Sequence, residues 1–191
     1  MSFRPAKIHI RLLVGEKMGF AVSALVLVLF LQALQYPLLY DISTDVEDPP
    51  VFKNAVEIRG PASNPLAYNE GIAEAQQAAY PDIKPYINEE ITVNSAFSLA
   101  LDVALEMKWE IVFQDEEDSV FEAVATTFWY GFKDDIVVRV RPSSKNRGSI
   151  VDIRSASRVG VADMGTNARR IGVFLQNFAE KVKDGEGDID S

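Results

Sequence analysis

The stretch DDIVVRVRPSSKNRGSIVDIRSASR, residues 134–158, decides the fold. Apolar and polar residues alternate on both sides of PSSKNRG, a polar segment of hairpin-loop composition at 142–148. A period of two puts Val138 and Val140 on one face of the first strand, and Val151 and Ile153 on one face of the second. A register joining Val138 to Ile153 and Val140 to Val151 keeps these pairs together. It also sets Arg139 opposite Asp152, a favourable cross-strand pair. Arg139, Arg141, Asp152, Arg154 and Arg158 then lie on the opposite face. An antiparallel hairpin with one apolar and one charged face is therefore the expected centre of the molecule.

Upstream, WEIVFQ (109–114) alternates with Trp109, Ile111 and Phe113 on one face, and SVFEAVATTFW (119–129) has a β-rich composition. Four successive strands with short connections form an antiparallel meander. Two helices are expected before it. The first runs from Pro65 to Ala79, with Asn64 as its N-cap and Pro81 just past its end. The second is NSAFSLALDVALEMK (94–108), capped by Asn94 or Ser95 and burying Phe97, Leu101, Ala104 and Leu105. A final helix over 164–183 carries a stripe of Met164, Ala168, Ile171, Leu175, Phe178 and Val182, before an acidic, disordered tail at 184–191. The order specifies an α+β domain over 61–183, a two-layer sandwich of a four-stranded antiparallel sheet and helices.

The N-terminal part reads differently. Residues 18–40, MGFAVSALVLVLFLQALQYPLLY, are 23 positions without a charge, enough helix to span a hydrocarbon core of about 30 Å. Arg4, Lys7, Arg11 and Lys17 against Glu16 precede the run, and Asp41, Asp45, Glu47 and Asp48 follow it. The positive-inside rule then keeps residues 1–17 in the cytoplasm and exports the remainder. That places the chain in a bacterial inner membrane, single-pass, with its C-terminal domain periplasmic. A cleaved signal peptide competes with the anchor, but its apolar region is normally about 7–15 residues long and ends in a small-residue cleavage site. Residues 41–60, with paired prolines and clustered acids, read as an extended linker arm.

Composition excludes several chemistries. The chain has no cysteine and one histidine, His9, so thiolate nucleophiles, histidine triads and multi-histidine metal sites are outside its means. Its net charge of −9 opposes nucleic acid as a partner. No metal set and no cofactor are expected.

The charged residues gather in RSASRVGVADMGTNARRI (154–171). Asp163 stands where a carboxylate can accept from the first free N–H groups of the final helix, and Asn167 lies in its first turn. One reading is structural: Arg158 or Arg170 forks onto Asp163, Asp134 or Asp135 and pins the strand-to-helix corner. The other is functional: Arg139, Arg154 and Arg158 line a shallow anion site beside a helix N-terminus. The pattern R-S-x-S-R-x-G-x-x-D-x-G-x-N-x-x-R-I, the acidic pair Asp134 and Asp135 behind FWYGF, and AYPDI at 79–83 together resemble the bacterial and plastid domain-of-unknown-function 1499 family over about residues 41–182. The resemblance implies envelope placement and marks this corner as the family's signature; it implies no reaction.

Three functions follow as expectations. A membrane-anchored, non-enzymatic domain would bind a protein partner as an accessory subunit of a membrane complex. Alternatively, Arg139, Arg154 and Arg158, with Asp163, Asn167 and Arg170, would hold a small anionic ligand or lipid head group. An enzyme would need a carboxylate pair, a Ser–Lys arrangement or an oxygen-ligated metal, and Asp134 and Asp135, adjacent on a strand, point to opposite faces.

Overall fold

The computed structural model describes residues 6–33, 37–68, 70–127, 131–143 and 148–187. The chain divides into two compact units, 1–36 and 37–191.

The first unit holds α1 (Ala6–Ala33), one continuous helix. The large apolar residues described in its second half, among them Phe20, Leu25, Val26 and Phe30, are exposed. Among the described residues, no helix is long and apolar enough to cross a membrane. The expected span over 18–40 includes residues 34–36, and the expected cytoplasmic segment includes residues 1–5; both stretches lie outside the described residues.

Among the described residues the second unit is α+β, with a six-stranded antiparallel sheet where four strands were expected. In chain order its elements are β1 (Asp41–Ser43), α2 (Ala55–Ile58), α3 (Glu70–Ala79), β2 (Tyr86–Asn88), α4 (Val93–Glu106), β3 (Glu110–Asp115), β4 (Val120–Thr126), β5 (Lys133–Pro142), β6 (Ser149–Ser157) and α5 (Thr166–Gly187). The sheet order is β1-β6-β5-β4-β3, and β2 also pairs with β6. The central hairpin has the expected register, with Val138 opposite Ile153, Val140 opposite Val151 and Arg139 opposite Asp152.

The two added strands share the outer edge of β6. β1 covers residues 154–156 and β2 covers 149–151. Thr44 bridges the interval: its N–H donates to Ile153 O at 3.0 Å, and its hydroxyl accepts from the Ile153 N–H at 2.9 Å. Both strands are three residues long, too short to show an alternating pattern. The outer edge of β1 is closed by a side chain, since buried Gln76 of α3 accepts from Ser43 N–H at 2.8 Å and donates to Ser43 O at 2.6 Å.

One face of the sheet carries Phe121, Ala123, Ile136, Val138, Val140, Val151 and Ile153 against α4 and α5. α4 begins earlier than expected because Thr92, not Asn94 or Ser95, is the cap, its hydroxyl accepting from Ser95 N–H at 3.2 Å. It buries Ala96, Phe97, Ala100, Val103 and Ala104, whereas Leu105, expected inside, is exposed. Its end is made by Lys108 at φ 59°, which lets Trp109 N–H reach Ala104 O at 3.0 Å. The Trp109 ring then stacks on Phe174 of α5 at 5.3 Å. α5 buries Ala168, Ile171, Phe174, Phe178 and Val182; Met164, expected in the stripe, precedes the helix and is exposed. α5 also continues to Gly187, into the segment expected to be a disordered tail; residues 188–191 of that tail lie outside the described residues.

The opposite face is covered by residues 44–66, most of which belong to the stretch 41–60 expected to be a linker arm. Phe52, Ala55 and Leu66 pack there on Val120, Val137 and Ala156. Glu122, fully buried on this face, accepts from the N–H groups of Lys53, Asn54 (2.8 Å) and Ala55 (2.7 Å), and so holds the start of α2. A bulge between Ile111 and Phe113 puts Phe113 opposite Glu122, so Trp109, Ile111 and Phe113 do not share one face. The helix expected from Pro65 starts at Glu70 instead, because Asn64 is engaged elsewhere.

Candidate functional site

The signature residues converge at one end of the sheet, where β5 starts, β6 ends and α5 begins. Alternation divides them between the two faces. On the arm-covered face, Arg154 forks onto Asp41 at 2.9 and 2.7 Å and donates to Pro50 O and Leu66 O at 3.1 and 2.7 Å. Its guanidinium carbon lies 5.0 Å from the Phe52 ring centre and 5.2 Å from that of Tyr68. Arg158 forks onto Asp135 at 3.0 and 2.7 Å, and Arg59 meets the same carboxylate at 3.0 Å. Further along this face, Asp152 receives Arg139 at 3.0 Å and Arg141 at 2.7 Å. Arg139 also reaches Asp48 at 2.9 Å.

On the helix-covered face, Asp163 caps α5 by accepting from Gly165 N–H at 2.9 Å and Asn167 N–H at 2.6 Å. Met164 and Gly165, at φ 51° and 74°, make the tight entry that allows it. Asn167 is fully buried: it accepts from the Ser155 hydroxyl at 2.7 Å and from Arg170, and donates to Ser157 Oγ at 2.9 Å and Tyr40 O at 3.0 Å. Arg170 completes the network by pairing with Asp134 and donating to Ser155 Oγ at 2.9 Å.

Each candidate arginine is thus bound to a carboxylate of its own chain. Arg139, Arg154 and Arg158 do share a face, but the N-terminus of α5 lies on the other, so the expected anion site is not assembled. Asp134 and Asp135 likewise serve different arginines on different faces. Burial dominates the electrostatics. It raises the Asp41 and Asp163 carboxyls above the usual carboxylate range, against the opposing pull of Arg154 on the first and of two backbone N–H groups on the second. It lowers Arg59 below the usual guanidinium range and pushes the Tyr68 phenol up.

Sequence reasoning missed Asp41, Arg59, Asn64, Gln76 and Glu122. Asn64 pins the corner rather than capping a helix, donating through its side chain to Ser157 O and Gly160 O at 3.1 and 2.7 Å. Only Asp41 had a signal: the signature segment holds more arginines than acids, so a carboxylate had to come from elsewhere.

Two concavities flank the corner. One, about 390 Å³, lies between the end of α4 and the first turns of α5 and includes Lys108, Trp109, Thr126, Thr166, Arg169 and Arg170. The other, about 370 Å³, is mainly apolar and includes Phe132, Val159, Ala162 and Met164. Neither Lys108 nor Arg169 pairs with a carboxylate among the described residues.

No curated protein matches the chain. A family model described as "Protein of unknown function (DUF1499)" matches residues 41–178, from β1 to within α5, and the chain belongs to that family.

Proposed function

We propose that this protein is a membrane-anchored, non-enzymatic envelope domain that works by binding a protein partner, as an accessory subunit of a membrane complex. The observation that carries the reading is the use made of the signature arginines. Arg139, Arg154, Arg158 and Arg170 are spent on carboxylates that hold the two faces of the sheet to their coverings. A corner built this way presents a rigid surface. The anchor rests on the uncharged run 18–40 and the opposite charges at its two ends, which set the N-terminus in the cytoplasm and the domain in the periplasm. The test is purification of the full chain from its native membrane in mild detergent, followed by size exclusion and mass spectrometry. A protein co-eluting at fixed stoichiometry is expected; a chain that elutes alone at every detergent strength overturns the reading.

A second reading has its own observation. Lys108 and Arg169 are cations without carboxylate partners among the described residues, beside a cleft with an apolar wall at Trp109, a combination suited to a small amphipathic anion. The purified chain would then carry such a molecule, and Arg169→Glu would release it without loss of fold.

A further inference from the structure

The corner end of the domain carries an apolar crown. Leu38 is 76 % exposed, Val161 74 %, Met164 64 %, Phe132 51 % and Val159 46 %. These residues come from three separate pieces of chain: the entry to β1, the connection before β5, and the connection from β6 to α5. Side chains this apolar are ordinary when scattered singly, but Phe132, Val159 and Met164 line one mainly apolar hollow, with Val161 in the same connection and Leu38 next to the bonded Leu39, and together they mark an interaction surface.

Chain continuity says what covers it. The uncharged run 18–40 ends inside this corner, because Leu38 belongs to the crown and the next two residues are tied to it. Leu39 O accepts from Asp163 N–H at 3.2 Å, and Tyr40 O accepts from Ser157 N–H at 2.8 Å and from the Asn167 amide at 3.0 Å. If the run enters lipid, its last residues lie at the lipid–water boundary, and the loops bonded to them are held at the same level. Exposed Lys133 and Arg169, near the crown in the chain, suit the same boundary as cations facing lipid head groups.

We infer that Leu38, Phe132, Val159, Val161 and Met164 form a docking surface for the bilayer interface, seating the domain on the membrane by the end from which the chain emerges. The inference rests on the anchored reading above and adds a specific contact to it. It makes the signature corner a membrane-facing base and leaves the opposite end, with the turn between β3 and β4, directed away from lipid.

The chain has no cysteine, so a single introduced thiol reports one position. Full-length Val161→Cys, Val159→Cys and Glu117→Cys, the last in the turn between β3 and β4, would each carry an environment-sensitive dye. They would be reconstituted in phosphatidylcholine–phosphatidylglycerol liposomes containing nitroxide-labelled lipid, with circular dichroism to confirm the fold. Apolar groups seated about 5–10 Å into the head-group region should show a blue-shifted dye and at least about twofold more quenching at 161 and 159 than at 117. Equal, weak quenching at all three positions, in protein that floats with liposomes and resists alkaline extraction, overturns the docking surface and leaves the anchor standing. A blue shift at 161 without lipid quenching overturns it in favour of a protein cover. Release of the whole chain by alkali overturns the anchor, and the inference with it.

Discussion

Arg154 and Asp41 form the most enclosed ion pair of the corner, with side chains 3 % and 0 % exposed. Taking one partner away leaves the other charge buried and unpaired, so Arg154→Leu should lower stability by about 3–5 kcal/mol. Replacing both, as Arg154→Leu with Asp41→Leu, removes the stranded charge, and most of that loss should return. Urea midpoints of the single and double variants check this, and additive losses would show that the pair is not coupled. Arg139–Asp152 was legible in the sequence because both residues lie in long alternating strands whose register follows from their apolar neighbours. Arg154's partner was not. Asp41 is 113 residues away, in a strand too short for a pattern and beside acids and prolines that read as linker. The Gln76 amide was equally hidden, because helical periodicity marks it as polar and cannot say that it pairs with a strand edge. Gln76→Ala strands one buried N–H and one buried C=O on Ser43, at about 1–3 kcal/mol each. Denaturant unfolding should show that loss, and amide exchange at Ser43 should accelerate.

At the scale of elements, long regular segments were readable and short ones were not. β5, β6, α4 and α5 announced themselves because each runs nine residues or more, with one consistent period. β1, β2 and α2 have three or four residues each and are defined by what they touch. β2 shows how narrow that definition is. A Cβ on Gly148 would lie 2.1 Å from Asn88 O and 2.4 Å from Glu89 Cα, and both of those atoms are backbone. Gly148→Ala should therefore push β2 off the edge of β6 while the meander persists. Amide exchange would report it as lost protection at 86–88 with protection kept in β4 and β5; unchanged protection at 86–88 would refute the close approach. Glu122 acts likewise on α2. Glu122→Ala frees three N–H groups at once, and protection at 53–55 should vanish before the sheet opens.

For the whole molecule, the sheet is covered on both sides, by α4 and α5 on one face and by the stretch from 44 to 66 on the other. A sequence reading that starts the domain at 61 discards most of the second covering. The magnitudes decide what this costs. A domain of this size is stable by about 5–15 kcal/mol. Without residues 37–60, Arg154 loses Asp41 together with its Pro50 and Phe52 cover, so the ion pair and its packing disappear at once. Losing the burial of Phe52 costs about 1.5–3 kcal/mol. Glu122 would lose all three of its N–H donors, and Asp135 would lose Arg59. These losses together take a large share of that margin. A chain of residues 37–191 should therefore unfold in urea as one cooperative transition, whereas 61–191 should give a broad, non-cooperative melt and bind an apolar dye. Near-equal midpoints for the two would mean that the arm merely lies on a finished domain. The expected contrast would instead make residues 41–60 part of the fold, the second covering of the sheet rather than a tether beside it.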